Sequence, residues 1–272
     1  MFTARRKKND CEDVPPELQN ALLFLAALAG DLTGVKVVID CGADPNIQND
    51  DGDTPLHDAA KSGSPEVVKL LLEHGANPNT QSIDGRTPLH IAASYSPLHI
   101  ALKRGRLKVV KLLLEHGANP NTQSIDGRTP LHYAAESGHH KVVKLLLEHG
   151  ADPNIQNNNG RTPLHYAAES GHHKVVKLLL EHGANPNIQN NNGRTPLHVA
   201  AWKGHHKVVK LLLEHGANPN TQSIDGRTPL HFAIENCHVN VARVLLDHGA
   251  DPTIRDNEGR TPRNRQRMRR IH

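Results

Sequence analysis

Residues 127–158 and 160–191 are the same 32-residue segment written twice, differing only where Asp152 answers to Asn185. The segment recurs along most of the chain, with Pro55, Pro88, Pro130, Pro163, Pro196, Pro229 and Pro262 at corresponding places. The steps between them are 33, 42, 33, 33, 33 and 33 residues, so one interval carries nine extra. Each copy is too small to bury its own apolar face, so copies must stack on one another. A stack offers an extended surface rather than an enclosed catalytic pocket. Binding, not catalysis, is the expectation that follows.

The segment 157–190 shows how a copy is built. Asn157, Asn158, Asn159 and Gly160 form a turn signal, because Gly takes positive φ freely and Asn tolerates it. Thr162 stands at an N-cap position and Pro163 at the first helical position after it. A short helix is expected from Pro163 to about Ser170, stopped by Gly171. A second is expected from about His173 to His182, with Val175, Val176, Leu178, Leu179 and Leu180 on a wide apolar face and Gly183 ending it. Neither helix is long enough to be stable alone. The scarcity of aromatics, 3% of the chain, suits thin stacked layers of Ala, Val and Leu.

The string Thr-Pro-Leu-His-x-Ala-Ala, then Gly-His, Val-Val-x-Leu-Leu-Leu and Gly-Ala-Asp/Asn-Pro-Asn resembles the ankyrin repeat over roughly residues 17–262. The resemblance implies an all-α solenoid of antiparallel helix pairs with turns projecting as β-turn fingers. Finger tips and the concave face of the first helices would be the binding surface. Two departures are a Pro where Val is commoner, in Asn-Pro-Asn, and the nine-residue irregularity. The homogeneity of the copies resembles arrays from intracellular bacteria and large viruses, whose members engage host proteins.

The expected organisation is a flexible tail over 1–16 and a repeat domain over 17–257. That domain comprises an N-terminal capping repeat (17–50) and repeats 51–83, 84–125, 126–158, 159–191, 192–224 and 225–257. A truncated repeat with an Arg-rich tail fills 258–272. In the irregular interval, Thr87-Pro88-Leu89-His90 and Ser96-Pro97-Leu98-His99 are two helix starts nine residues apart. Only one can pack against the helix near 107–115. Pro97 disfavours a single helix through both, and 96–104 is expected to be the packed one, with 87–95 a bulge. The last complete repeat lacks a normal cap and is expected to fray first.

Charge and cysteines bound the setting. Residues 258–272 hold six Arg and one Glu, so although the whole chain carries +4, residues 1–257 sum to −1. No global field for nucleic acid follows. The longest apolar run, 21–29, is too short to span a bilayer, and Cys11, Cys41 and Cys237 are scattered and unpaired in sequence. These point to a monomeric, intracellular, cytoplasmic protein, with nucleus or host cytosol as further settings, reduced thiols and no zinc site.

Histidine is abundant, 21 in all, but patterned. His57, His90, His99, His132, His165, His198 and His231 belong to the helix-start motif, where the resemblance implies a bond to backbone of the neighbouring turn. His74, His116, His149, His182, His215 and His248 close the second helix, where a cation suits the dipole. No metal or other cofactor is expected, and no catalytic motif is present.

The informative residues vary while the scaffold stays fixed. Between repeats 159–191 and 192–224, Tyr166, Glu169 and Ser170 become Val199, Trp202 and Lys203. Trp202, the only tryptophan, either anchors a partner or folds back on apolar surface. Tyr133, Tyr166 and Phe232 occupy the slot after His, where core packing competes with contact. On the fingers stand Arg86, Arg128, Arg161, Arg194, Arg227 and Arg260. Arg161 and Arg194 lack the Asp that precedes Arg86, Arg128 and Arg227 by two residues, making the middle of this ladder the more cationic. The candidate contact residues are Trp202, Lys203, Arg161, Arg194, Glu136, Glu169, Tyr133 and Tyr166, and the expected partner is a protein with some acidic residues. The alternatives are nucleic-acid binding through the Arg ladder and tail, or a duplicated array with no dedicated partner.

Overall fold

In the computed structural model, residues 15–94 and 100–262 are described, with the side chains of 100–105 left aside. Among them are fourteen helices and no strand. They fall into two compact units that divide between Ile125 and Asp126. The expected behaviour of the Arg-rich tail and of the missing C-terminal cap lies outside the described residues.

The first unit holds α1 (Pro16–Ala29), α2 (Leu32–Asp40), α3 (Pro55–Ser62), α4 (Pro65–Glu73), α5 (Pro88–Ser94) and α6 (Ile100–Glu115). First helices pack on first helices, α1 on α3 on α5, and each also packs on the second helix of its own repeat. The α1 helix lacks the Thr-Pro-Leu-His start and is twice as long as α5. Its inner side buries Leu23 and Ala27, while Leu18, Leu22, Leu25 and Leu28 stay exposed. An end-capping repeat would carry a polar outer face; this one is apolar. Cys41, just after α2, is disulfide-bonded, so the expectation of reduced thiols fails at that position. Cys237 is free and exposed.

The irregular repeat corrects an expectation. The first start is the packed one: α5 buries Leu89, Ala92 and Ala93 and packs on both α3 and α6. Residues 100–104 open the long second helix instead, while 95–99 lie outside the described residues. The finger before Thr87 decides the contest. Ile83 N–H donates to Asp51 O at 2.9 Å and Ser82 N–H to Arg86 O at 2.9 Å, delivering Thr87 in register. A start at Pro97 has no such finger before it. In α6, Arg106 stands where later repeats place a histidine; it is buried, and its Nη2 donates to Lys61 O at 3.1 Å.

The second unit holds α7 (Pro130–Glu136), α8 (His140–Glu148), α9 (Pro163–Glu169), α10 (His173–Glu181), α11 (Pro196–Lys203), α12 (His206–Glu214), α13 (Pro229–Glu235) and α14 (Val239–Asp247). The α9 and α10 bounds agree with the sequence expectation to within one residue. Val175, Val176, Leu179 and Leu180 of α10 are buried, as are their counterparts in α8 and α12. The stack is also tied by polar bonds that repeat with the period. Asn154 Nδ2 donates to Gly183 O at 3.0 Å while its Oδ1 accepts from Asn185 N–H at 2.8 Å. Asn187 and Asn220 do the same one and two repeats later.

The buried histidines serve both the local and the stacking bonds. Thr162 N–H donates to His165 Nδ1 at 3.1 Å, with the Thr162 hydroxyl 2.9 Å from the same nitrogen. That fixes the neutral tautomer, leaving Nε2–H to donate to Arg194 O of the next finger at 2.9 Å. His198 bonds Arg227 O in the same way at 3.0 Å. Burial pushes His165 down to about 3 and His198 down to about 4, and lowers His57 as well. The second-helix histidines donate Nδ1–H to the carbonyl four residues back, as His182 does to Leu178 O at 2.8 Å. Both families are structural, as the sequence reading holds.

Candidate protein-binding face

The finger arginines of the second unit lie back over the first helices. In repeat 126–158, Arg128 reaches Glu136 at 2.9 Å and Asp126 at 3.1 Å. In repeat 159–191, Arg161 pairs with Glu169. In repeat 225–257, Arg227 meets Asp225 at 3.0 Å and Glu235 at 3.3 Å. Each of these repeats therefore carries a carboxylate eight positions after its arginine, on the facing end of the helix. Arg194 is the exception, because Trp202 stands where that carboxylate belongs. Among the described residues no carboxylate lies within ion-pair distance of Arg194; its field reaches Asp225 only as a minor contribution to that carboxyl's lowered pKa. The expected cationic middle of the ladder thus narrows to Arg194, since Glu169 serves Arg161.

A second pattern runs beneath. The residue after the helix-start histidine packs between two guanidinium groups, one from its own finger and one from the finger before. Tyr166 lies 4.1 Å from Arg161 and 4.4 Å from Arg128, with its hydroxyl accepting from Asn157 Nδ2 at 3.0 Å. Phe232 lies 5.4 Å from Arg227 and 4.9 Å from Arg194. Both rings are edge-on to a helix-start histidine, His132 and His198, at 5.9 Å. Repeat 192–224 puts Val199 in this slot, so no ring separates Arg161 from Arg194. A cavity of about 320 Å³ opens there, lined by Arg161, Glu169, Arg194, Val199, Trp202 and Phe232 among others. The Nε atoms of Arg161 and Arg194 are buried with no acceptor among the described residues.

Trp202 does not fold away. It is 41% exposed at the cavity edge, with Lys203 Nζ 4.5 Å over its ring. Lys203 in turn reaches Glu169 at 3.9 Å. Trp202, Lys203, Arg161, Arg194 and Glu169 are therefore brought together, as the sequence suggests. Tyr166 is 3% exposed and is packed between Arg128 and Arg161 rather than on the contact surface. Tyr133 and Glu136 sit two repeats earlier; Tyr133 is half-buried beside Arg128, and Glu136 is its counter-ion. Sequence reasoning noted Val199 as a residue that varies but did not count it in the candidate face, where its small side chain opens the cavity, and it passed over Ile224. The latter is a finger-tip residue 70% exposed, its N–H donating to the cavity-lining Asn192 O at 3.1 Å. Comparison of Val199 with Tyr166 and Phe232 in the same column carried the signal.

The family model described as ankyrin repeats (3 copies) matches residues 23–96, 94–157, 150–223 and 184–256. Among curated proteins, inactive serine/threonine-protein kinase TEX14 from Mus musculus is 45% identical over 58 residues, 21% of this chain and 4% of that protein. The same protein from Bos taurus is 47% identical over 58 residues, with the same coverage. The chain thus spans only a small fraction of the length of these relatives.

Proposed function

Because the chain belongs to the ankyrin-repeat family and is an all-α repeat solenoid, we propose that it is a non-catalytic scaffold binding a partner protein through the first-helix groove and fingers of its second unit. Ankyrin repeats generally mediate protein–protein interaction. The observation that carries the finer reading is Trp202, exposed on an open cavity beside Arg194, an arginine with no carboxylate within ion-pair distance among the described residues. Exposed aromatic and Arg residues around a cavity are the kind that dominate interface energies. No helix among the described residues is long and apolar enough to cross a membrane, and we place the scaffold inside the cell, acting as a monomer. The finger arginines of the second unit, Arg194 apart, have carboxylates within ion-pair distance, which speaks against a phosphate-tracking stripe.

The test is a crosslinking pull-down from cell lysate with wild type and the triple variant Trp202→Ala, Arg161→Glu, Arg194→Glu, both checked for helicity. Proteins retained by wild type and lost by the folded variant are expected. Identical capture by both would overturn the face assignment.

A further inference from the structure

The second unit carries its own description of what its open cavity lacks. In repeats 159–191 and 225–257 the groove is completed from within: an aromatic ring lies between consecutive guanidinium groups, and a glutamate on the same helix neutralises the finger arginine. Repeat 192–224 has exchanged both groups, Val199 for the ring and Trp202 for the carboxylate. The start of the helix that carries them is unchanged, since Thr195 and His198 make the same helix-start bonds at 3.1 Å and 2.8 Å. We propose that this cavity is a recognition site for a partner segment that supplies the two missing groups, an aromatic side chain adjacent to an Asp or Glu.

The chemistry is complementary at each point. A ring entering beside Val199 would lie between Arg161 and Arg194, the arrangement Tyr166 occupies at 4.1 and 4.4 Å from its two arginines. A neighbouring carboxylate would meet the guanidinium of Arg194, which has Trp202 where Arg227 has Glu235, and so form the charge-assisted pair that Arg227 and Glu235 form at 3.3 Å. Trp202 and Ile224 would cover the segment on either side. Glu169, already held by Arg161 and Lys203, faces the cavity and disfavours a second carboxylate near Arg161. The inference rests on the groove reading above and narrows it to one repeat and one ligand chemistry.

Two substitutions fill the cavity with the protein's own solutions. Val199→Tyr installs the ring and Trp202→Glu installs the counter-ion, each recreating a side chain the adjoining repeat already accommodates. The probe is a random 12-residue peptide library displayed on mRNA, selected against immobilised wild type, with the enriched peptides measured by fluorescence anisotropy. Enriched sequences should place Phe, Tyr or Trp within two positions of Asp or Glu. Their affinity should fall at least tenfold for Val199→Tyr, for Trp202→Glu, and on Glu→Gln or Asp→Asn exchange in the peptide. Circular dichroism establishes that both variants remain helical. Selected peptides without that pair, affinity unchanged in folded Val199→Tyr, or no enriched peptide at all would each overturn the inference. If lysate proteins are still captured by wild type and lost by the triple variant, the groove reading stands while this narrower one falls.

Discussion

Position 171 and its equivalents show how a single atom couples neighbouring repeats. Gly171 has φ +73°, and a Cβ added there would sit 2.8 Å from ring atoms of His205. That imidazole is held by its own bond, Nε2–H to Glu169 O at 2.9 Å. Gly171→Ala therefore meets left-handed strain and a fixed ring together, and should lower stability by about 2 kcal/mol or more. Gly204 is under the same constraint, with His238 at 2.7 Å. One repeat on, the position is Cys237, a non-glycine at φ 59°, and the residue 33 places after His238 is Ile271 rather than histidine. Cys237 is exposed, so among the described residues only the backbone strain remains, and Cys237→Gly should raise stability by roughly 0.5–1 kcal/mol after the entropic cost of glycine. Urea unfolding midpoints at unchanged slope check both; a destabilised Cys237→Gly would show that the thiol, not the backbone, sets the conformation.

At the scale of the element, each first helix is fastened by one histidine that acts on two repeats. His165→Ala would leave the buried Thr162 N–H unpaired and take from the Arg194 carbonyl one of its two donors, Asn190 N–H remaining at 2.9 Å, at about 1–3 kcal/mol. Hydrogen exchange should then lose protection at the start of α9 and in the finger near 190–194, while α13 stays protected. Protection lost evenly through the second unit would refute a local fastening role. Helix ends were legible beforehand because Thr-Pro and Gly punctuate them through local chemistry. The irregular repeat was not, since Pro88 and Pro97 stand in locally equivalent sequence signals and a hydrogen bond from Ile83 to Asp51, in another repeat, sets the register of the first. Leu89→Ala, at a fully buried site, should accordingly cost about 2–5 kcal/mol; a loss under about 1 kcal/mol in the thermal midpoint analysis would mean α5 is not the packed start. The candidate face was half legible for a related reason. Trp202 and Arg194 stand out in their columns, but the pairing of a finger arginine with a carboxylate eight residues on follows neither helical nor strand periodicity. Only the fold reveals that Trp202 removed a counter-ion.

For the whole molecule, stability must depend on pH through groups buried in both units. His165 and His198 are pushed down to about 3 and about 4 by burial, and His57 is lowered too. A folded-state pKa below the unfolded value of about 6.5 means that the unfolded chain binds protons first as pH falls. Their contribution is complete above about pH 6.5 and is lost progressively towards pH 4 and below. The carboxyls of Asp225 and Asp256 are lowered despite burial by bonds to Ser223 and Arg260 and the charges of Arg227 and Arg260, and their loss adds only below the carboxylate range. One group runs the other way. Asp58 occupies in the first unit the slot that Tyr166 and Phe232 fill in the second, and burial, reinforced by Asp53, pushes it up to about 6. Its charge therefore costs stability above pH 6, a cost relieved as it protonates. The melting temperature by circular dichroism should thus be flat from pH 8 to about 6.5 and then fall steadily to pH 4, the histidines outweighing the single aspartate. Asp58→Asn should raise the melting temperature at pH 7.5, where the carboxylate is charged, and change it little at pH 4.5, where Asp58 is already protonated. A gain of equal size at both pH values would trace the effect to packing rather than charge, and no gain at pH 7.5 would show that the buried carboxylate is solvated well enough to cost nothing.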